Sequence, residues 1–456
     1  MEDQEKTKTS FLGHLTGLMD RFTGDKVILL IALFLMLISV ISVFSSTPLL
    51  ALELKSDRTS IMVDQLKLVA LGFFCIFALY GFAKVEWYRA LSRWGFAVSF
   101  VLLAILVFKL NLGFLRAGEI NGARRILIVA GKQVHIYEFI KIFMIMYLGW
   151  ALDTYKEHKF TFLPMLAQKF EKLAFLDKDS WQKLFYIYIP ILTVTLMVST
   201  GSNSSALFIG GIMILMVLIG GLEVKDVALV GAVLIVAFGC MFGAYKMGLL
   251  KETRLGTLVS RITNDDDATM KILLTSEPHS KEWQKAKDAL DQPVGALLAI
   301  KEGGFFGKGI GNSTQKYQVP VIFGDYMFSF IIEESGLWGA IILILLYYSL
   351  LARGTLVARE CDKYYDKMIV TGLIILVTGQ AFMHMAVNVH LPLVPQTGQT
   401  LPLVSHGANS FLAFSIVFGI LLSISKDAKE NISRLEAMAE PIIEHHSDWT
   451  QDTTEQ

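Results

Sequence analysis

Acids and bases placed inside or beside long apolar runs are where this sequence offers chemistry, because an ionisable group in lipid is expensive to keep. Glu138 and Lys141 stand three residues apart in one apolar segment, so a helix would put them on one face. That spacing suits either a structural ion pair or the wall of a polar cavity. Asp325 follows a polar stretch and begins the next apolar segment, with Glu333 and Glu334 two turns deeper. A carboxylate at such a border is either a partly desolvated general base or a helix-start acid favoured by the local dipole. Arg116, Arg124, Arg125 and Lys132 crowd the short segment 114–138. They would bind an anionic ligand, or else belong to a re-entrant element whose arginines snorkel to headgroups.

Other motifs exclude more than they offer. Gly303 to Gly307 leaves three intervening residues and Gly309 follows Lys308, so the glycine-rich stretch 302–313 is not a nucleotide phosphate loop. It remains a tight, backbone-exposing turn with one cation. Cys75, Cys240 and Cys361 are too scattered for a disulfide framework or a paired-cysteine metal site. His384, His390 and His406 do not have metal spacing and read as satisfied polar helix contacts.

The elements that must carry these groups are membrane helices. The 456 residues are 54% hydrophobic and 18% charged, with the apolar residues gathered into long runs, which rules out a soluble enzyme. The 41 basic side chains balance 41 acidic ones, so there is no basic footprint for nucleic acid. A span needs about 20 apolar residues. The runs 27–48, 66–84, 95–113, 139–153, 183–200, 205–222, 227–247, 330–352, 368–388 and 403–424 predict an all-α polytopic membrane protein of about ten transmembrane helices. A large extracytoplasmic loop, 246–325, then separates spans seven and eight, and an amphipathic stretch at 279–300 predicts a helix on the outer membrane surface. The domain reading is a cytoplasmic tail over 1–26, a membrane domain over 27–424 and a cytoplasmic tail over 425–456. Within the first tail, Phe11, Leu12, Leu15, Leu18, Met19 and Phe22 recur at helical spacing, which fits an interfacial helix or a partly ordered tail. The first apolar run is too long for a cleaved leader and reads as a retained span.

Short-loop lysines and arginines set the orientation. With the N-terminus inside, inner segments hold Lys84, Arg89, Arg93, Arg353, Arg359, Lys363 and Lys367, whereas 200–204 and 389–402 hold none. Both termini are therefore expected to be cytoplasmic. The basic 114–138 segment is then an outer segment against the rule.

Several motifs in order now support a resemblance. Asn121-Gly122-Ala123-Arg124-Arg125 with Glu138 and Lys141, the glycine-rich 303–313, Asp325-Tyr326-Met327-Phe328 with Glu333-Glu334-Ser335-Gly336, Gln380-Ala381, and Pro395 through Gly407 resemble motifs of the SEDS proteins. These are the polytopic peptidoglycan polymerases of shape, elongation, division and sporulation, of FtsW, RodA and SpoVE type. The resemblance spans nearly all ten runs.

It implies an inverting glycosyltransferase of the bacterial cytoplasmic (inner) membrane that polymerises lipid II at the outer face. Asp325 would be the general base that deprotonates the acceptor sugar. Arg124 and Arg125 would stabilise the departing pyrophosphate, with Lys308 and Arg261 as lesser candidates and Glu138, Lys141 and Ser405 shaping the substrate site. A divalent cation such as Mg2+ would assist, no organic cofactor is implied, and the metal ligands are unknown. The partners implied are a class B penicillin-binding protein and other divisome proteins, with spans eight and nine offering an apolar docking face. Segment 395–402 is closer to the FtsW pattern than to RodA's, which points to septal synthesis. RodA-type elongation, a lipid-linked precursor flippase or transporter, and a non-catalytic scaffold are the alternatives. The chain departs from the family at 200–206, where the family's acid is missing, at Phe323-Gly324, and at His384, where the family has Asn.

Overall fold

The computed structural model describes residues 22–120, 123–246, 271–272, 274–277, 280–391, 394 and 397–452. Its main helices are α1 (Lys26–Ser46), α2 (Arg58–Phe82), α3 (Val85–Ser92), α4 (Gly95–Val107), α5 (Ile136–Lys156), α6 (Asp179–Ser199), α7 (Asn203–Ile219), α8 (Val224–Lys246), α9 (Lys281–Gly303), α10 (Met327–Glu360), α11 (Tyr364–Asn388) and α12 (Ala408–Asp452). Each of the ten apolar runs falls on one of these helices. Helices are what apolar chain must form in lipid, where backbone N–H and C=O groups can pair only with each other. Six of them, α1, α2, α6, α10, α11 and α12, are long and apolar enough to cross a membrane, and α3 with α4 forms a pair bent by 52°. The chain is a multi-pass membrane protein.

Helix α5 is the central one. It packs against α3, α4, α7, α11 and α12, and nearly every residue from Ile140 to Leu152 is buried. Surrounded by protein instead of lipid, it carries Glu138, Lys141, Asp153 and Lys156. The short fourth run gains its length from such polar flanks, since the helix extends to 21 residues.

The all-α expectation needs one correction. Residues 115–135 form a three-stranded antiparallel sheet of β1 (Leu115–Ile120), β2 (Ala123–Val129) and β3 (Lys132–His135), in that order. Its signal was the branched run Ile126-Leu127-Ile128-Val129 followed by Ala130-Gly131. Both turn residues have positive φ, 48° and 81°, and Val129 pairs with Lys132 across them. This is the two-residue hairpin turn whose twist matches its strands. The basic segment is neither an open loop nor a re-entrant helix. Val134 and Leu127 face the helical core, while Lys132 at the hairpin end is exposed.

Candidate functional site

Asp325 sits one residue outside the first turn of α10, and its main chain is fastened from two directions. Asn388 Nδ2 of α11 donates to the Asp325 carbonyl at 3.0 Å. One residue earlier, Ser405 Oγ donates to the Gly324 carbonyl at 2.7 Å, and His406 N donates to the Phe323 carbonyl at 2.9 Å. Asp325 is partly exposed, and its carboxyl group lies against Gly398, where an added Cβ would fall 2.6 Å from Oδ2. A side chain at position 398 would displace the carboxylate; glycine permits the close approach.

The first turn of α10 is capped by side chains that sequence reasoning did not single out for this role. Phe328 N donates to His384 Nε2 at 3.3 Å, and Ser329 N donates to Asn388 Oδ1 at 2.9 Å. Two of the helix's orphan amides are thereby satisfied. His384 Nδ1 is 2.6 Å from the Gln399 carbonyl, which can only accept, so Nδ1 carries the proton and Nε2 is free to accept from Phe328. The histidine is a buried polar contact, as its spacing predicted, and it ties the start of α10 to the segment that faces the Asp325 carboxyl. The signal was the i, i+4 pair His384 and Asn388 on one face of α11.

A second chain of contacts reaches the same segment from α5. Lys141, 4% exposed, donates to Glu138 Oε2 at 2.8 Å and to Gln380 Oε1 at 2.6 Å. Gln380 Nε2 in turn donates to the Thr400 carbonyl at 3.0 Å, two residues from Gly398. Of the two readings for Glu138 and Lys141, the ion pair is realised. The gap beside them, bordered by Phe414 and Val417, is too small for a ligand. Lys141 therefore braces the site from behind.

The sheet brings Arg125 close to His135 and to the start of α5. Burial pushes the imidazole of His135 below its ordinary value, Glu138 opposes that and Arg125 adds to it, so these three groups feel one another. Arg125 Nε is buried without a hydrogen-bond partner. A buried guanidinium N–H left unmet is costly, and an anionic oxygen would satisfy it. Arg124 pairs with Glu119 in the ladder, but its side chain, like the whole of Arg261, lies outside the described residues.

Two other expected ligands have internal partners instead. Ser405 is 3% exposed and, besides donating to Gly324, accepts from Leu401 N at 2.9 Å, so it fixes the backbone and does not face solvent. Lys308 is paired with Glu302 and with Glu333, the latter at 2.7 Å. Burial works against its charge, yet the two carboxylates hold its pKa above the ordinary value.

Lys308 belongs to a closed knot around the glycine-rich turn. Glu333, fully buried, accepts from Lys308 Nζ, Ser313 Oγ, Thr314 N (2.7 Å) and Gln315 N (3.2 Å). Glu334 accepts from Ser45 Oγ and Gly311 N (3.0 Å) and pairs with Lys316 Nζ at 3.7 Å. Helix α10 breaks at Gly336 (φ 71°), where Lys308 N and Gly309 N bond the Glu333 and Glu334 carbonyls, both at 2.9 Å. A Cβ on Gly307 would lie 2.3 Å from the Glu334 carbonyl oxygen. The glycines let two backbones cross; they do not cradle a phosphate.

Among the described residues no three His, Cys, Asp or Glu side chains gather as a bound metal ion would require. Among the described residues Glu138 is paired with Lys141 and Glu333 with Lys308.

Fold and site together define a multi-pass membrane protein in which a partly exposed aspartate just before α10 is held by a buried polar frame. The chain belongs to the FtsW/RodA/SpoVE family, described as "Cell cycle protein", whose model matches residues 25–430. A Geobacter metallireducens protein named probable peptidoglycan glycosyltransferase FtsW is 27% identical over 410 residues, covering 89% of this chain and 95% of its own. Stage V sporulation protein E of Bacillus subtilis is 24% identical over 403 residues, covering 88% and 97%. Among solved structures, a chain from a study of polymerisation and crosslinking by a peptidoglycan synthase complex aligns with TM-score 0.58 at 19% identity, covering 89% of this chain and 98% of that one. Thermus thermophilus RodA aligns with TM-score 0.54 at 19% identity, covering 90% and 99%.

Proposed function

We propose that this protein is an inverting peptidoglycan glycosyltransferase that polymerises lipid II at the outer face of the bacterial cytoplasmic membrane. Family membership and the named relatives support the reaction class. Asp325 supports the mechanism, being a partly exposed acid just before α10 whose backbone is held by Asn388 and by the neighbouring bonds of Ser405 and His406. Its carboxylate takes the proton of the acceptor's 4-hydroxyl. The oxygen attacks the donor's anomeric carbon, the bond to the undecaprenyl pyrophosphate breaks, and the configuration inverts in one displacement. Arg125, with its unmet Nε, and Arg124 stabilise the leaving pyrophosphate. Glu138, Lys141 and Ser405 hold the surrounding backbone, and Lys308 acts by closing the 303–317 turn. No step is routed through a metal.

The proposal includes ten spans with both termini cytoplasmic, the domain limits 1–26, 27–424 and 425–456, and an extracytoplasmic 246–325 segment. Its partner is a class B penicillin-binding protein, a reading supported by the aligned peptidoglycan synthase complex, and its role is septal, a reading supported by the FtsW-named relatives and the 395–402 pattern. Purified lipid II incubated with the wild type and with Asp325→Asn tests it. The wild type is expected to give glycan polymer and the variant none, while both bind a transpeptidase partner equally. Polymer from the variant would remove the general base; no polymer from the wild type alone or with its partner would favour a flippase or scaffold.

A further inference from the structure

Between the far half of α10 and the near half of α11 lies a groove of about 630 Å³ that the site above does not use. The two helices run antiparallel, joined by the short turn 361–363, and their facing residues form three levels. Arg359 and Lys367 line it nearest the turn, Thr355 and Thr371 one helical turn further along each helix, and Leu351 and Ile375 another turn on, with Ile374 and Ile219 also in the lining. Four residues of helix rise about 6 Å, so the groove passes from cationic through neutral hydroxyl to aliphatic over roughly 12 Å.

The floor is built to be there. A Cβ on Gly354 would lie 2.3 Å from Ile374, so only glycine lets the helices close beneath the groove. Tyr364 fixes the cationic end, donating to the Gly220 carbonyl at 2.7 Å while Lys156 sits 4.2 Å above its ring. Among the described residues neither Arg359 nor Lys367 has an ion-pair partner, although Glu360 and Asp362 are close in sequence. Two unneutralised cations over an apolar slot call for one amphiphile carrying a phosphate.

We infer that this groove binds an anionic glycerophospholipid of the inner leaflet, with its phosphate between Arg359 and Lys367 and an acyl chain over Leu351, Ile374 and Ile375. Basic pockets between helices at the cytoplasmic side have this ligand chemistry. A partner's membrane helix is the less suitable occupant, since the groove covers about two turns whereas α10 is 34 residues long. The inference rests on the proposed orientation and not on the catalytic reading.

The test uses the purified full chain with phosphatidylglycerol or phosphatidylcholine, read by native mass spectrometry and thermal unfolding. Phosphatidylglycerol is expected to be retained at one molecule per chain and to raise Tm by roughly 2–4 °C over phosphatidylcholine. The pair Arg359→Gln/Lys367→Gln should lose both effects, and Thr355→Trp, which fills the middle of the groove and spares the charges, should lose retention. The exposed pair Lys84→Gln/Arg93→Gln should keep both. The idea is overturned if the groove variants retain the lipid, or if the control pair loses it equally, which would reduce the effect to general surface charge. Polymerase activity is not read, so a failed catalytic assignment leaves the result interpretable.

Discussion

Two regions at the start of α10 carry carboxylates of nearly the same outward description, acids at the border of an apolar run, and the structure treats them oppositely. Glu333 and Glu334 are enclosed, held by amides, hydroxyls and ammonium groups of the 308–316 turn together with Ser45 of α1. Asp325, two turns away, has its backbone fixed and its carboxyl only partly covered, with a glycine as its wall. A saturated carboxylate stores its interaction energy in the fold. A carboxylate whose frame is rigid but whose oxygens are accessible can exchange it with a substrate.

The sharpest way to break this contrast is Asp325→Asn, which should abolish polymerisation of lipid II while leaving Tm within a few degrees; a destabilised Asp325→Asn protein would make that residue structural too. Glu333→Gln should do the reverse. It removes the buried one of Lys308's two carboxylate partners and should lower stability by about 3 kcal/mol, measured by thermal or denaturant unfolding in detergent. Whatever protein remains folded should still polymerise.

Gly398→Ala probes the wall of the site. The added methyl must push the Asp325 carboxyl aside, and displacement by about 1 Å can cost about a hundredfold in rate. The expected result is a fall in kcat with little change in Tm. His384→Ala should give a smaller fall of the same kind by freeing both Phe328 and the 399 segment, with His384→Gln restoring part of it by accepting from Phe328.

The smallest effect belongs to the rim of the closed knot. Lys308 and Thr314 hold the Glu302 carboxyl below its ordinary value of 4.5. A depressed folded pKa contributes stability above the unfolded value, and that contribution is lost as the pH falls through the folded value. Glu302→Gln should therefore cost under about 1 kcal/mol at neutral pH, and the difference from the wild type should vanish in acid and shrink in high salt.

Much of this was legible in the residues. The apolar runs foretold where helices lie, and Glu138 and Lys141 paired as their spacing allowed. The β-sheet was missed because Arg116, Arg124 and Arg125 drew attention to charge, while the branched run 126–129 was short and lay outside any span. The internal partners of Lys308 and Ser405 were not legible, because a motif records a residue's presence and not which way it is satisfied. The role of His384 escaped because its two partners, Phe328 and Gln399, lie 56 and 15 residues away.

The sequence by itself determined the membrane class, the helical segments and the family, since these follow from local hydrophobicity and from motif order, which the chain carries without folding. Only the tertiary structure decided that Glu333 is enclosed within the fold while Asp325 stays partly exposed beside Gly398. That distinction depends on which turns and helices close over each carboxylate, from the 308–316 turn about twenty residues before Glu333 to Ser45 of α1, 289 residues from Glu334.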